Sequence, residues 1–148
     1  MVIGYGGSMD ARRIEAGILN NGKDMDQSMT PFEAGLGAFI DFGNARFIGR
    51  EALLSAPRKT RLLGVVCPGE TPKTGWQVLD SGNVAGRVRT GDWSPTLESG
   101  IGYVEFEYAS DWAGRALEIQ SLSGDRYPCE IVELPFFDRE KRLPRGLA

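Results

Sequence analysis

The sequence predicts a mainly β fold with short α segments, in which a small α/β segment precedes a six-stranded antiparallel barrel or jelly roll. Three observations lead to this fold class. Helical spacing and capping residues occur before Pro57, whereas alternating apolar residues recur from Arg61 onward. Clusters of Gly, Asp and Ser separate those alternating runs at short intervals, as a meander or Greek key requires. The 148 residues can bury a core without disulfides or metals, and we divide them at 1–57 and 58–148.

The first predicted element is a short helix over residues 9–16, MDARRIEA. Ser8 can cap its N-terminus, Asp10 would lie in the first turn where the helix dipole favours a carboxylate, and Gly17 follows the last helical residue. The stretch that follows, GILNNGKDMDQSM, is rich in Asn, Asp and Gly and is predicted to be a loop.

A capping box comes next and is the clearest local signal in the chain. Thr30 and Glu33 occupy its two reciprocal positions, Pro31 takes the first helical position, and Gly35 ends the turn. Residues 36–42, LGAFIDF, are then predicted to form a strand. Residues 47–56 are predicted to form a second short helix that Pro57 closes.

Six strands are predicted after Arg61, with turns at residues 80–83 and 123–125. Glycines 64, 86, 100 and 102 lie inside strand patterns, where they indicate bulges or tight bends at barrel corners. The predicted strands are RLLGVVC, WQVLD, NVAGRVRTG, GIGYVEFEY, RALEIQSL and RYPCEIVEL.

Composition excludes several classes of function. Histidine is absent, which removes the commonest general base and the commonest metal ligand. Cys67 and Cys129 form no CxxC motif, so we expect two buried thiols in a reducing cytoplasm. The net charge is -3 with basic and acidic residues interspersed, so we expect no nucleic-acid partner. No apolar run has the length of a membrane helix, and we expect a cytoplasmic protein without a membrane partner.

Pattern alone gives few candidate sites. Asp24 and Asp26 lack the further oxygen ligands of a calcium loop, so we interpret them as turn formers rather than a cation site. Arg13 could clamp a carboxylate in bidentate fashion, although a solvated helix face explains it more simply. Trp93 precedes Ser94 and Pro95 at a predicted strand-to-strand turn, where it either forms the lid of a pocket or covers the barrel end.

The order of the motifs resembles one protein family. ARRIEAGILNNGKDMDQSMTPFEAGLGAFIDF followed by FIGREALL is similar to the glycine-cleavage T-proteins, which share R-L-E-A-G, an acidic loop, T-P-x-E-A-G-L and F-I-G-R/K-E-A-L. LLGVVC, GWQVLDSGNVAGRVRTGDWSPTLESGIGYV and IVELPFFD resemble the C-terminal barrel of that family. The resemblance extends from about Asp10 to about Arg142.

The resemblance implies a tetrahydrofolate-dependent aminomethyl- or methyltransferase that takes a one-carbon unit from a small-molecule donor. The family also includes the C-terminal halves of dimethylglycine and sarcosine dehydrogenases and the dimethylsulfoniopropionate demethylases. In these terms residues 1–57 are the tail end of the folate-binding transferase domain, and residues 58–148 are the C-terminal aminomethyltransferase-type β-barrel domain.

The family places its catalytic aspartate in an N-terminal domain, so we expect no catalytic residue in this chain. We expect a missing N-terminal domain or a partner subunit to carry the aspartate, and the isolated chain to be inactive. A fragment, a truncated reading frame and one subunit of a larger enzyme all remain open. The alternative function is a non-catalytic folate-binding or assembly module of the same family.

Three changes set this chain apart from T-proteins. Met9 stands where T-proteins have an arginine, while Asp10 is retained. The resemblance implies that this arginine contacts the folate tail or the substrate carboxylate. Ala38 stands where T-proteins often carry tryptophan, and Lys141 falls where some members place a substrate-contacting tyrosine. These changes keep the demethylase-like branches open.

The resemblance and the local patterns together give five candidates for binding folate or substrate. Arg13 and Glu33 are predicted to frame the pocket, with Glu33 acting first as a helix cap. The candidates are Met9, Asp10, Arg13, Glu33 and Trp93.

Overall fold

A computed structural model describes residues 5–44, 46–140, 142 and 145–147, so Lys141 lies outside the described residues. The chain forms helix α1 (Tyr5–Glu15), a 3-10 turn (Gly37–Phe39) and helix α2 (Arg50–Ser55), followed by six strands. The strands are β1 (Leu62–Cys67), β2 (Gln77–Asp80), β3 (Asn83–Ser94), β4 (Ser99–Phe106), β5 (Ala116–Gln120) and β6 (Arg126–Val132).

The six strands form a closed antiparallel barrel with the order β1-β4-β3-β2-β5-β6. The predicted fold class is therefore confirmed, and each of the six strands predicted from Arg61 onward is present. Strand β3 is the longest and continues through Trp93 and Ser94, which we had predicted to lie in a turn. Pairing of Trp93 with Gly100 and of Ser94 with Ser99 keeps both residues in the ladder, and the turn follows at residues 95–98.

The barrel interior is filled by inward-facing residues of all six strands. Trp112 is the largest fully buried side chain, and its ring stacks on Phe106 at 4.6 Å between centroids. Its indole N–H donates to the Tyr108 carbonyl at 3.0 Å, which satisfies the ring's single polar atom. Cys67 and Cys129 lie in the same core as free buried thiols, as predicted.

Helix α1 packs outside the barrel against β3 and β4. Ile14 is fully buried there in a second cluster with Leu62, Ile101 and Tyr103. The Tyr103 hydroxyl lies 3.2 to 3.3 Å from three carbonyl oxygens at the end of the helix, including those of Ile14 and Ile18. The hydroxyl has a single hydrogen, so it donates to one of these oxygens at a time, and it connects the barrel to the end of α1.

The C-terminus of α1 is a Schellman motif, as the position of Gly17 predicted. Gly17 has φ +70°, its N–H donates to Ile14, and the N–H of Ile18 donates to Arg13 at 2.8 Å. The predicted N-terminus was wrong: the helix begins at Tyr5, so Ser8 lies inside it and Asp10 is not in the first turn. Each added helical residue gains a hydrogen bond once the later turns are fixed, so the helix continues past Ser8.

The capping box is confirmed, since Glu33 accepts from the Thr30 N–H at 2.8 Å and Thr30 Oγ1 accepts from the Glu33 N–H at 3.2 Å. The predicted strand over residues 36–42 was wrong. No neighbouring strand pairs with it among the described residues, and the backbone forms local 3-10 hydrogen bonds instead. The predicted second helix is confirmed as α2.

The strand glycines have two different roles. Strand registers shift between Val78 and Leu79 and between Val88 and Thr90, and Gly86 borders the first shift as a bulge glycine should. Gly100 is instead required by close approach, because a Cβ there would collide with the Glu70 carbonyl oxygen. No described helix combines the length and the apolar character needed to cross a membrane.

Candidate functional site

The most strongly buried charge of the chain lies beside α1. The carboxylate of Asp24 is fully buried and accepts from Arg13 Nη1 at 2.5 Å and from the Asn20 N–H at 2.7 Å. Arg13 also donates through Nε to Asp10 at 2.7 Å, and its side chain is only 14% exposed. The interpretation of Arg13 as part of a solvated helix face was therefore wrong, whereas Asp24 lies in a turn as predicted and is in addition a buried partner of Arg13. The buried Arg13–Asp24 pair therefore holds the loop after α1 against that helix.

Asp10 completes this group from the solvent side. It accepts from Arg13 and, at 3.4 Å, from Lys23, while 44% of its side chain stays exposed. The hydrogen bond from Arg13 lowers the pKa of the Asp10 carboxyl, which is therefore ionised at neutral pH. Because Arg13 already pairs with two carboxylates, its positive charge is largely neutralised and would attract a ligand anion only weakly.

Glu33 stands at one end of a second group, a chain of alternating charges. We use the name ion-pair chain for Asp26, Arg89, Glu105, Arg61 and Glu33, which are joined in that order at 2.7, 3.4, 3.3 and 3.3 Å. The backbone N–H of Thr30 is the main cause that lowers the pKa of Glu33. The ion-pair chain connects the loop and the capping-box turn to the outer surface of β1, β3 and β4.

Asp26 also makes the turn that its sequence predicted. Its Oδ1 accepts from the backbone N–H of Ser28 at 2.9 Å and from the Ser28 hydroxyl. The hydroxyl of Ser28 is the main cause that lowers the pKa of Asp26. Among the described ranges no cluster of acidic residues and cysteines is arranged to hold a metal ion.

Trp93 lies on a different face from these groups. Ser94 and Ile101, the α1-facing residues at this end of the β3–β4 pair, are buried, whereas Trp93 is 41% exposed and pairs with Gly100. Because neighbouring residues of a strand point to opposite faces, Trp93 points away from α1. Met9 lies on α1 and is 47% exposed. The five predicted residues thus occupy three separate places, and the structure brings only Asp10 and Arg13 into contact.

Glu15 is a residue that the sequence analysis missed. Its carboxylate accepts from the Ser94 hydroxyl at 2.5 Å, and its backbone carbonyl accepts from the N–H groups of Phe136 and Phe137. It therefore joins the end of α1 to the end of β3 and to the segment after β6. No local pattern marks Glu15, because each of its partners lies at least 79 residues away in sequence.

A cleft of about 660 Å³ opens where the end of α1, the capping-box turn, the start of β1 and the loop at residues 110–113 meet. Its volume is in the range of sites for small organic ligands. Ala16, Gly35, Phe39 and Lys59 are among its lining residues, and none of the five predicted residues is. Trp93 is consequently not the lid of this cleft, and its role at the barrel end stays a prediction.

Comparison with known proteins agrees with this architecture. The family described as the glycine cleavage T-protein C-terminal barrel domain matches residues 60–138, which contain all six strands. An aminomethyltransferase of Streptomyces avermitilis is 36% identical over 140 residues, covering 89% of this chain and 38% of that protein. An aminomethyltransferase of Thermosynechococcus vestitus is 37% identical over 149 residues, covering 96% of this chain and 38% of that protein.

The solved structure of the glycine cleavage system aminomethyltransferase T of Bartonella henselae has the same fold. It superposes with a TM-score of 0.73 at 23% identity, covering 88% of this chain and 38% of that chain. The chain thus spans somewhat more than a third of the length of the relatives it matches. The barrel, the family match and the two relatives lead to the same conclusion: the chain belongs to the glycine cleavage T-protein family and contains its C-terminal barrel domain.

Proposed function

We propose that this chain is the C-terminal segment of a tetrahydrofolate-dependent aminomethyl- or methyltransferase whose catalytic aspartate belongs to another part of the enzyme. The observation that carries the proposal is the extent of the match. Proteins named aminomethyltransferase align with 89% and 96% of this chain, yet the aligned part is 38% of each of them. The proposal covers both aminomethyl donors and methyl donors, which correspond to the aminomethyltransferase and demethylase branches of the family.

The residues of this chain fit one wall of a folate site and not a complete pocket. Arg13 and Glu33 are both engaged by partners within the chain, although Arg13 Nη2 is buried without a hydrogen-bond partner among the described residues, so their predicted contribution is to hold the wall in place. The exposed surface of α1 retains the Met9 thioether and the partly exposed Asp10 carboxylate. An apolar side chain beside a carboxylate suits an aromatic ring with N–H groups on its edge.

Arg12 is the available cation on this surface. It is exposed, lies three residues after Met9 and so shares its helix face, and makes no ion pair with the described residues. We assign it the task that the resemblance gives to the arginine replaced by Met9, which is to bind a carboxylate of folate or of the donor. Arginine suits this task because its planar guanidinium donates two parallel hydrogen bonds to a carboxylate.

In this proposal the chain binds, orients and excludes water rather than transferring protons. Tetrahydrofolate, when bound, supplies the nitrogen that takes up the one-carbon unit. The absence of histidine is compatible with such a role. Holding two reactants in the right geometry lowers the activation barrier of their reaction without a side-chain base. The docked loop and the ion-pair chain keep α1 fixed against the barrel while the reactants are held.

The test is reconstitution from two polypeptides. The part of the Thermosynechococcus vestitus protein outside the matched 38% is purified separately and mixed with this chain, and transfer from an aminomethyl donor to tetrahydrofolate is measured. We expect turnover by the mixture and none by either polypeptide alone. Arg12→Ala should raise KM for folate or donor with little change in kcat, whereas Arg87→Ala, at an exposed arginine of β3, should change neither.

A non-catalytic module is the second candidate, and it is favoured by the ion pairs and hydrogen bonds that Arg13 and Glu33 already make within the chain. Such a module would bind the rest of the protein, with or without folate, and support no transfer. A stable complex without turnover for aminomethyl and methyl donors would favour this module over the transferase segment.

A further inference from the structure

Residues 36–55 differ from the rest of the described chain in the apolar surface they leave uncovered. Phe39 is 82% exposed, Ile48 is 104% exposed and Leu54 is 44% exposed. Helix α2 contains no buried residue, although three of its six residues are apolar. Isolated exposed apolar residues are ordinary on protein surfaces, but three within one short segment mark a contact surface.

The same segment is internally ordered. The Phe42 ring lies 6.3 Å from Phe32 and 6.2 Å from Phe47, and Arg50 Nη2 donates to the Phe42 carbonyl at 3.4 Å. The guanidinium of Arg58 lies over the Phe32 and Phe42 rings at 4.2 and 4.8 Å. These contacts connect residues 36–55 to the capping-box turn, so the uncovered side chains belong to a held surface rather than to a loose tail.

Backbone chemistry points to the form of the missing contact. Residues 36–42 have the alternating apolar pattern of a strand, yet among the described residues no strand lies beside them. The N–H groups of Asp41 and Phe42 have no hydrogen-bond partner there either. A polypeptide that adds a strand beside this segment would satisfy these groups and cover Phe39.

From these observations we infer that residues 36–55 are the docking surface for the polypeptide that the aminomethyltransferases carry outside the region matched here. The inference rests on the proposed function only for the identity of that polypeptide. The Thermosynechococcus vestitus match covers 96% of this chain, so it leaves at most a few residues unaligned and includes most of this segment. In that relative the same surface belongs to a protein with much additional sequence available to cover it.

The experiment measures binding between this chain and the separately purified part of the Thermosynechococcus vestitus protein outside the matched 38%. The relative's own matched region serves as the positive control. Phe39→Asp and Ile48→Asp introduce a charge at each exposed position. Leu122→Asp is the matched control, because Leu122 is 80% exposed but lies between β5 and β6. All three variants should keep the thermal midpoint of the unmodified chain, since these side chains are exposed.

We expect calorimetry to show weakening of about tenfold or more for each variant in the segment and no change for Leu122→Asp, because charging a buried apolar contact removes its favourable transfer free energy. Amide exchange at Asp41 and Phe42, whose N–H groups have no partner among the described residues, should slow in the complex. Wild-type affinity for Phe39→Asp and Ile48→Asp, or no complex with a probe that binds its own matched region, would overturn the inference.

Two other results are informative. If the chain alone forms a dimer that Ile48→Asp dissociates, the surface belongs to a second copy and the assigned occupant is wrong. If the complex forms through residues 36–55 but transfers no one-carbon unit to tetrahydrofolate, the proposed transferase function fails while the docking surface stands.

Discussion

Replacing Asp24 tests whether the loop after α1 is held by a buried ion pair. Asp24→Ala removes a fully buried carboxylate, leaves the Asn20 N–H without its acceptor and leaves Arg13 Nη1 with only the Ile18 carbonyl at 3.3 Å. Breaking a buried pair by removing one partner costs about 3–5 kcal/mol. Arg13 keeps its 2.7 Å contact with Asp10, so we expect the lower end, about 3 kcal/mol of unfolding free energy. Asp24→Asn retains an acceptor and should cost about 1–2 kcal/mol.

Thermal and urea unfolding of the purified chain measure these losses. A change of 1 kcal/mol shifts the midpoint of a chain of this size by about 2–4 °C, so Asp24→Ala should melt about 6–12 °C lower. Asp111→Ala is the control, because Asp111 is an exposed aspartate without a hydrogen bond to the described residues, and it should stay within about 0.5 kcal/mol of the unmodified chain. If Asp24→Ala melts together with Asp111→Ala, Asp24 is not the buried counter-ion that the argument requires.

Three further outcomes are expected. Glu33→Ala should lower the unfolding free energy by about 1 kcal/mol through loss of the cap. Glu33→Gln should nearly retain the thermal midpoint and the folate affinity of the reconstituted enzyme. A Gln variant that folds but fails to bind folate would contradict the cap role. The pKa values of Asp10 and Glu33 are lowered on folding, so their stabilisation is present above pH about 5 and is lost as pH falls through 4, and Glu33→Gln should flatten the midpoint-against-pH curve there. Burial raises the pKa of Cys129 to about 12 and also that of Cys67, so a thiol reagent at pH 8 should react only as fast as the chain unfolds, and rapid labelling of folded protein would contradict the buried positions.

The parts of the fold that sequence could predict are those fixed by neighbouring residues. Alternation in residues 61–67 or 126–134 and the turn residues between strands are local features, so all six strands could be located. The capping box and the Schellman glycine are also complete within six residues. The helix start was missed because the capping signal at Ser8 does not end the helix, whose hydrogen-bonded turns continue back to Tyr5.

The parts that sequence could not predict depend on distant residues. The ion-pair chain requires that Asp26 and Arg89, 63 residues apart, meet on one surface, and this depends on how the loop that carries Asp26 folds against β3. The segment at 36–42 has a correct strand pattern, but a strand also requires a neighbour, which composition cannot supply. The role of each of the five predicted binding residues stays a prediction, since their partners in binding lie outside this chain.

The contacts of Glu15 have a consequence for the order of folding during synthesis. Glu15 is synthesised about 120 residues before Phe136 and Phe137, whose N–H groups bind its carbonyl. At a translation rate of about 5–20 residues per second this interval lasts roughly 6–24 s. During it the Glu15 carbonyl lacks both of these donors, so a nascent chain stalled before Phe136 should hold the end of α1 less firmly, and be a better chaperone substrate, than a chain extended past Phe137.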